Sequence, residues 1–286
     1  MRGATIGSRD QTDYPDIKSA LASAPISKSE QKDELELSVV IPCLNEAETV
    51  GTCVAKAVRW IRMHGVAGEV IVADNGSTDG SCQIAAANGA KIISVPKKGY
   101  GSALMEGIEN ARGRYVIMGD ADDSYDFSSL DGILEKLRQG FALVQGCRLP
   151  SGGGTIMQNA MPLLHRWFGN PLFTFLARFL FAAPVHDVNC GLRGFSTALY
   201  RQLQMTCTGM EFAVEMIIKA SLLKARIEEV PVTLYRDGRK TRRSHLRTFH
   251  DGWRTSRIFF LALRKYPPSW MQRFWTSNKT TFFAKS

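Results

Sequence analysis

The sequence lacks any long run of apolar residues. None of its 286 residues belongs to a stretch approaching the roughly 18 to 20 uninterrupted apolar positions that a membrane-spanning helix needs. The first 36 residues are polar and lack the apolar segment of a secretory signal. We interpret residues 1–36 as a disordered tail, and we expect any membrane contact of the chain to be peripheral.

Cysteines are few and scattered. The six of them form no C-x-x-C pair and no compact cluster with histidine, which argues against a zinc site and against a disulfide framework. Internal repeats and extended low-complexity segments are also missing, which excludes repeat architectures. These patterns favour a cytoplasmic protein with reduced thiols.

Acidic residues are outnumbered by basic ones. The chain has 36 Lys and Arg against 27 Asp and Glu, a net charge of +9 that suits nucleic acid, an anionic membrane or a polyanionic substrate. Near an anionic membrane each basic residue contributes about 1 kcal/mol. We interpret residues 236–286 as a basic, amphipathic, membrane-proximal segment, since basic residues crowd beside its apolar stretch RTSRIFFLAL. The first of them are Arg236, Arg239, Lys240, Arg242, Arg243, Arg247, Arg254 and Arg257.

Short apolar runs alternate with helical patterns from Leu37 onward. The runs are LSVVIP, EVIVAD, AKIISVP, RYVIMGD and FALVQGC. Continuous Val and Ile runs are typical of parallel strands buried on both faces, and the alternation is typical of βαβ units. The sequence therefore predicts an α/β domain with a mostly parallel sheet over residues 37–235.

Polar side chains follow four of these strands, at the point where each strand ends. They follow Pro42, which ends the first run, and are Asn45, Glu46, Asp74, Asn75, Lys97, Lys98, Asp120, Asp122 and Asp123. Ligands of open α/β sheets collect beyond the carboxyl ends of the strands. We therefore expect these side chains to line one pocket.

The segment MGDADDSYD carries three carboxylates at a strand end. Asp120, Asp122 and Asp123 repel one another unless a cation offsets their charge. Mg²⁺ binds through one or two carboxylates together with substrate phosphates, so the D-x-D pattern indicates a clamp for a metal and a diphosphate. A solvated acidic turn is the alternative, and the carboxylate of Asp74 at a neighbouring strand end favours the clamp.

Three further segments each leave two interpretations open. KKGYGSALMEG places Lys97 and Lys98 before a helix, either as an anion site or as a glycine-rich turn that starts a packed helix. TGMEFAVEM sets Glu211 and Glu215 one helical turn apart, so these two residues are either a functional pair or part of a solvated helix face. MPLLHRWFGNPLFTFLARFLFAAPV forms either a helix on a bilayer surface or a core helical hairpin.

Seven motifs occur in an order that is found in one family. They are VVIPCLNE, ADNGSTDGS, KKGYGSALMEG, MGDADDSYD, HDVNCGLRGF, TGMEFAVEM and IEEVPVTLYRDGRK. At these motifs the chain resembles the family 2 glycosyltransferases of the GT-A fold, and in particular the dolichyl- or polyprenyl-phosphate sugar synthases. The resemblance runs from about Leu37 to Arg257.

The resemblance implies a fold and a reaction. The fold is a Rossmann-like, mostly parallel sheet flanked by helices, with amphipathic basic helices at the C-terminal end. The reaction is an inverting, metal-dependent transfer of a hexose from UDP-glucose or GDP-mannose to a polyprenyl or dolichyl phosphate. Mg²⁺ or Mn²⁺ is the implied cofactor, with Asp120 and Asp122 as its ligands. The implied location is the cytoplasmic face of an anionic membrane, where the enzyme is peripheral.

The resemblance also assigns residues by position. Those implied to bind the nucleotide sugar are Pro42, Asn45, Glu46, Asp74, Lys98, Asp120, Arg148, Arg236 and Lys240. Those implied to be catalytic are Asp122, Asp187 and Arg193. Arg236 and Lys240 belong to a loop that closes over the diphosphate, where RKTRRSHL replaces the family's usual Ser-Lys and leaves the basic ligand open.

The nature of the acceptor decides whether the reaction needs a base. A phosphate acceptor is already ionised, so positioning and charge stabilisation suffice. A hydroxyl acceptor, as in a soluble family 2 enzyme of polysaccharide synthesis, needs a base, for which Asp187 is the candidate. A nucleic-acid-binding module leaves the carboxylates unexplained, and a nucleotidyltransferase does not need HDVNCGLRGF, so we expect no nucleic-acid partner.

Overall fold

Apolar, β-branched runs form the middle of a seven-stranded sheet in the computed structural model, which describes residues 35–162, 169–241 and 248–268. The strands are β1 (Leu35–Cys43), β2 (Gly68–Asp74), β3 (Lys91–Ser94), β4 (Gly113–Met118), β5 (Leu143–Cys147), β6 (Thr155–Ile156), β7 (Arg193–Ser196), β8 (Ile227–Pro231) and β9 (Thr233–Leu234). Their order in the sheet is β3-β2-β1-β4-β7-β5-β8, and β6 pairs with β9 separately. All five predicted strands are confirmed.

The sheet is parallel except at β7. Strands β3, β2, β1 and β4 run parallel to one another, and β5 runs parallel to β8. Strand β7 lies between β4 and β5 and is antiparallel to both. The mostly parallel α/β sheet is therefore confirmed, with one reversed strand that the apolar runs did not predict.

Helices cover both faces of the sheet. They are α1 (Val50–Met63), α2 (Ser81–Ala87), α3 (Tyr100–Glu109), α4 (Asp131–Arg138), α5 (Asn170–Phe181), α6 (Thr197–Leu203), α7 (Phe212–Leu222) and α8 (Thr248–Lys265). Successive strand residues point to opposite faces, so Val39 packs in the cluster containing α1 and α4, whereas Val40 packs in the cluster containing α3, α6 and α7.

The predicted domain boundaries need two adjustments. Residues 1–34 of the predicted tail lie outside the described residues, but Leu35 and Glu36 belong to β1, and Glu36 pairs with Arg138 at 2.7 Å. The folded body therefore begins before residue 37. In the predicted membrane-proximal segment, Phe259 and Ala262 of α8 are buried in the main core, so residue 235 is not a packing boundary.

No described helix is both long enough and apolar enough to cross a bilayer. Helix α5 packs in the core on one side, and its predicted contact with a bilayer stays a prediction. Ala177 and Phe181 on one side are buried in the core, while Phe175 and Phe179 on the other side are exposed.

Candidate active site

The carboxyl ends of β1, β2 and β4 meet at one edge of the sheet. Cys43 of β1 lies opposite Asp74 of β2, and the amide of Gly119, just after β4, donates to the carbonyl of Val40. Pro42 is buried near the end of β1. The loops that carry the predicted side chains therefore start next to one another, as the sequence predicted.

The loops after β1 and β2 are tied together by short polar side chains. Asn45 adopts a left-handed conformation (φ 56°) and its Oδ1 accepts the amide of Thr78 at 2.8 Å. Its own amide donates to Ser77 Oγ at 2.7 Å. Asp74 accepts the amides of Gly76 and Ser77 at 3.0 and 3.1 Å, which closes the turn after β2. These bonds fix the shape of this side of the pocket.

Asp120 lies in the loop that follows β4. Its Oδ1 accepts the hydroxyl of Tyr100 at 2.8 Å. Burial, followed by repulsion from Asp122, raises the pKa of Asp120 to about 6. A Cβ atom on Gly191 would lie 2.5 Å from Asp120 Oδ2, so glycine is required for the turn before β7 to approach this carboxylate.

Asp122 is held in a defined orientation. Its Oδ1 accepts both the amide of Ser124, at 3.1 Å, and the hydroxyl of Ser124, at 2.6 Å. Its Oδ2 points away from this turn, toward a segment from the C-terminal part of the chain. Ser124 thus orients Asp122 and leaves one carboxylate oxygen for another partner.

That segment comprises residues 235–241, which we call the strap. The amide of Tyr235 donates to the carbonyl of Ser124 at 2.9 Å, and the amide of Gly238 donates to the carbonyl of Asp122 at 2.8 Å. The strap therefore lies against the D-x-D segment, and its predicted closure over a diphosphate stays a prediction.

The two strap residues predicted to bind the diphosphate are exposed. Arg236 and Lys240 point outward. The amide of Lys240 and the hydroxyl of Thr241 donate to the Glu48 carboxylate, which fastens the end of the strap to the loop after β1. The predicted contact of both basic residues with a diphosphate stays a prediction.

Arg239 is a strap residue whose side chain reaches two carboxylates. Its Nε donates to Glu46 Oε2 at 2.8 Å, and its Nη2 donates to Glu46 Oε1 at 2.5 Å. Its Nη1 donates to Asp122 Oδ2 at 3.2 Å. The fork of Arg239 joins two carboxylates that are far apart in the sequence, so no local pattern distinguishes Arg239 from the neighbouring basic residues.

Arg148 and Asp187 form a buried ion pair. Arg148 Nε lies 2.7 Å from Asp187 Oδ2, Nη2 lies 2.8 Å from Oδ1, and the Arg148 amide also donates to Oδ2. The Asp187 side chain has no exposed surface. Glu229 accepts the amides of His186 and Asp187 and so fixes this turn. Asp187 is thus placed to orient Arg148, and both of its oxygens are engaged, which disfavours the base that a hydroxyl acceptor would need.

Arg193 lies wholly in the interior. Its guanidinium donates to the carbonyls of Ala213, Cys190 and Val188, and burial lowers its pKa. These bonds join α7 to the turn before β7. Because Arg193 has no exposed surface, the side chain that was predicted to be catalytic holds neighbouring segments together in this structure.

The glycine-rich segment before α3 is used for packing. A Cβ atom on Gly99 would lie 2.1 Å from the carbonyl oxygen of Thr208. The amide of Ser102 donates to that same carbonyl, and the amide of Gly99 donates to Asn75 Oδ1. Lys98 Nζ donates to the carbonyl of Asn75. These contacts favour the packed-helix interpretation of this segment over an open anion site.

Glu211 and Glu215 are both buried, which contradicts the solvated-face interpretation. Glu215 pairs with Lys219 at 2.8 Å, and neither side chain has exposed surface. Although burial opposes ionisation, Lys219 and donors that include the Thr206 hydroxyl hold the pKa of Glu215 below its usual value. Glu211 pairs with Arg254 of α8 at 2.6 Å. The two glutamates therefore link α7 to neighbouring segments, Glu215 to Thr206 and Glu211 to Arg254 of α8.

The carboxylate oxygens that the D-x-D segment offers as ligands fit a hard divalent cation. Within the described ranges, no group of three or more His, Cys, Asp or Glu residues is arranged to hold a metal by itself. Asp120 and Asp122 offer two carboxylates whose mutual repulsion a cation relieves. Mg²⁺ and similar ions complete such a site with substrate phosphate oxygens. The residues present therefore fit a metal that binds together with a diphosphate.

Comparison with known proteins identifies the family. The model of Glycosyl transferase family 2 matches residues 38–204, more than half of the chain. The low-salt glycan biosynthesis hexosyltransferase Agl6 of Haloferax volcanii is 40% identical over 232 residues, which cover 80% of this chain but only 54% of that protein. A dolichyl-phosphate hexose transferase of the same organism is 32% identical over 198 residues, covering 69% of this chain and 82% of that protein.

Solved structures show the same architecture. Mannosyl-3-phosphoglycerate synthase from Rubrobacter xylanophilus aligns with a TM-score of 0.65 at 22% identity, over 81% of this chain and 74% of that one. Glucosyl-3-phosphoglycerate synthase from Mycobacterium tuberculosis, in complex with Mn²⁺, UDP-glucose and phosphoglyceric acid, aligns with a TM-score of 0.62 at 21% identity, over 92% and 88%. The chain belongs to the family 2 glycosyltransferases and has the GT-A fold.

Proposed function

We propose that this chain transfers a hexose from a nucleotide-diphosphate sugar to a polyprenyl phosphate, with a divalent metal, at a membrane surface. The observation that carries the proposal is the pair Asp120 and Asp122 at the sheet edge shared with Asp74. The relatives named hexosyltransferase and dolichyl-phosphate hexose transferase support the same reaction class. UDP-glucose and GDP-mannose are the proposed donors.

In this proposal the two ends of the donor meet different groups. Asn45 and Asp74 lie where the nucleoside would bind, and Asp120 and Asp122 would hold Mg²⁺ or Mn²⁺ beside the diphosphate. When bound, the metal would offset the negative charge that grows on the departing nucleoside diphosphate. Arg148, fixed by Asp187, would hold the acceptor phosphate close to the sugar.

Both carboxylate oxygens of Asp187 are already hydrogen-bonded, which favours a phosphate acceptor over a hydroxyl acceptor. A hydroxyl must lose a proton as it attacks, and the candidate base has both oxygens bound to Arg148. A phosphate oxygen is already ionised, so it attacks the anomeric carbon as the bond from that carbon to the diphosphate oxygen breaks. Inversion at the anomeric carbon follows from this single displacement, and positioning supplies the rate.

An exposed apolar surface supports binding to the membrane that carries such an acceptor. It is formed by α5 and α8, which pack through the stacked rings of Phe173 and Phe259, 5.9 Å apart. Its exposed apolar side chains are Leu172, Phe175, Phe179, Trp253 and Phe260. Exposed basic residues lie along the same two helices at Arg178, Arg257, Arg264 and Lys265. Aromatic and basic side chains on adjacent helices suit the interface of an anionic bilayer.

Acceptor chemistry tests the proposed function directly. The protein would be incubated with Mn²⁺, polyprenyl phosphate and radiolabelled UDP-glucose or GDP-mannose, and the products extracted into organic solvent. We expect label in a polyprenyl-phosphate sugar that forms only when a divalent cation is present. Label that appears solely in a water-soluble glycan would instead identify a soluble polysaccharide enzyme.

The double substitution of Phe175 and Phe179 by serine is expected to weaken vesicle binding by at least about tenfold. Each phenylalanine that leaves water contributes about 1.5 to 3 kcal/mol. Co-sedimentation with phosphatidylcholine and phosphatidylserine vesicles measures the effect. Met63→Ser is the matched control, because Met63 is 69% exposed on α1, which covers the opposite face of the sheet. Equal binding by the double variant and the wild type would remove this surface from the proposal.

A further inference from the structure

The Arg239 guanidinium lies between two carboxylates of the proposed metal and nucleotide site. It binds both oxygens of Glu46 and one oxygen of Asp122. The Arg239 side chain is 8% exposed, and the two carboxylates are 6% and 17% exposed. A cation is therefore already present in the acidic part of the site before any metal arrives.

The oxygen that Arg239 binds is the one that a metal would need. Asp122 Oδ1 is engaged twice by Ser124. Asp122 Oδ2 is the oxygen bound by Arg239 Nη1 at 3.2 Å. A divalent cation on Oδ2 would face the positive guanidinium at close range, which is unfavourable. Arg239 and the metal thus compete for Oδ2.

The rest of the strap is anchored independently of this contact. The backbone of Gly238 binds the Asp122 carbonyl, and the amide of Lys240 and the hydroxyl of Thr241 bind Glu48. The Arg239 side chain keeps two bonds to Glu46 even when the bond to Asp122 is lost. Arg239 can therefore leave Asp122 without detaching the strap.

We propose that Arg239 is an internal counter-ion of the metal site, which holds Asp122 in the metal-free protein and gives it up when a divalent cation binds with a nucleoside diphosphate. The inference rests on the proposed metal site and adds a regulatory function to it. Metal alone must displace the guanidinium and binds weakly. Metal with a nucleoside diphosphate gains phosphate ligands that offset the displacement, so the two ligands bind cooperatively.

Binding of Mn²⁺ alone to Arg239→Gln tests the inference. Free Mn²⁺ is measured by electron paramagnetic resonance during titration of the metal into the protein without nucleotide. We expect the dissociation constant of Arg239→Gln to fall about tenfold, as for the loss of one competing charge-assisted hydrogen bond. An unchanged or increased dissociation constant would overturn the inference.

Two further variants separate competition from general charge effects. Arg62→Gln removes the same charge from an exposed position on α1, outside the proposed site, and we expect it to change Mn²⁺ binding less than twofold. An increase in Mn²⁺ affinity equal to that of Arg239→Gln would overturn the inference. Arg239→Lys keeps the charge but cannot bridge both carboxylates. It should tighten Mn²⁺ binding by an intermediate factor, and it replaces Arg239→Gln if circular dichroism shows that the latter does not fold.

Asp122→Asn distinguishes failure of this inference from failure of the proposed function. If Asp122→Asn binds Mn²⁺ with UDP as well as the wild type does, the metal site itself is wrong. If Asp122→Asn loses Mn²⁺ binding while Arg239→Gln leaves it unchanged, the metal site stands and only the counter-ion role of Arg239 is wrong.

Discussion

Asp122→Asn should reduce hexose transfer by about a thousandfold or more. The substitution removes one of the two carboxylates proposed to hold the metal, while the similar shape of asparagine preserves the turn formed with Ser124. Loss of one group that stabilises charge in a transition state typically costs a factor of about 100 to 1,000, and loss of the metal itself costs more. Initial rates at saturating donor and Mn²⁺ measure the effect.

The same loop contains a matched control. Asp126 accepts the amide and the hydroxyl of Ser128 at 3.0 and 2.6 Å, which repeats the geometry of Asp122 with Ser124. Asp126→Asn therefore makes the same chemical change outside the proposed metal pair, and we expect it to keep most of the activity. A rate for Asp122→Asn within tenfold of the wild type, with unaltered metal dependence, would rule out the clamp.

Lys219→Met should lower the free energy of unfolding by about 3 kcal/mol or more. The substitution leaves the charge of Glu215 in the interior without its partner, and removing one member of a buried ion pair costs about 3 to 5 kcal/mol. Backbone and hydroxyl donors of Thr206 and Cys207 still contact Glu215, so we expect the lower part of this range. Urea unfolding followed by circular dichroism gives the value.

An exposed pair of the same length provides the comparison. Lys56 lies 2.8 Å from Asp123, the same distance as Lys219 from Glu215, but these two side chains are 34% and 24% exposed. We expect Lys56→Met to cost at most about 1 kcal/mol. Equal losses for the two lysine variants would show that burial does not determine the effect.

Much of the fold could be predicted because its central strands are buried on both faces. Such strands must be continuously apolar, and the runs around Val39, Val70 and Val116 show this directly in the sequence. Strand β7 could not be found in this way. It is four residues long and begins with Arg193. The free-energy cost of burying this side chain is offset by hydrogen bonds to carbonyls in other segments. No local pattern reveals such compensation.

The site was predictable to a similar extent. The sheet topology alone brings Asp74 and the D-x-D segment to one edge. The position of these carboxylates directly after strands was therefore enough to predict that they lie near one another. The contact of Arg239 with Glu46 spans 193 residues and depends on how the strap folds back. Likewise, the spacing of Glu211 and Glu215 defines a helix face, but only the placement of Arg254 and Lys219 shows that this face is buried.

The reversed strand β7 divides the sheet into two parts. On one side, β1 to β4 lead to the carboxylates of the proposed metal and nucleotide site. On the other side, β5 leads to Arg148, which binds the Asp187 carboxylate, and β8 contains Glu229, which accepts the Asp187 amide. β7 joins the two parts through main-chain ladders, and such ladders form between many different sequences. Under the proposed function, the seam is thus a crossover point for chimaeras, in which the part that would bind the acceptor in one homologue is grafted onto the part that would bind the donor in another.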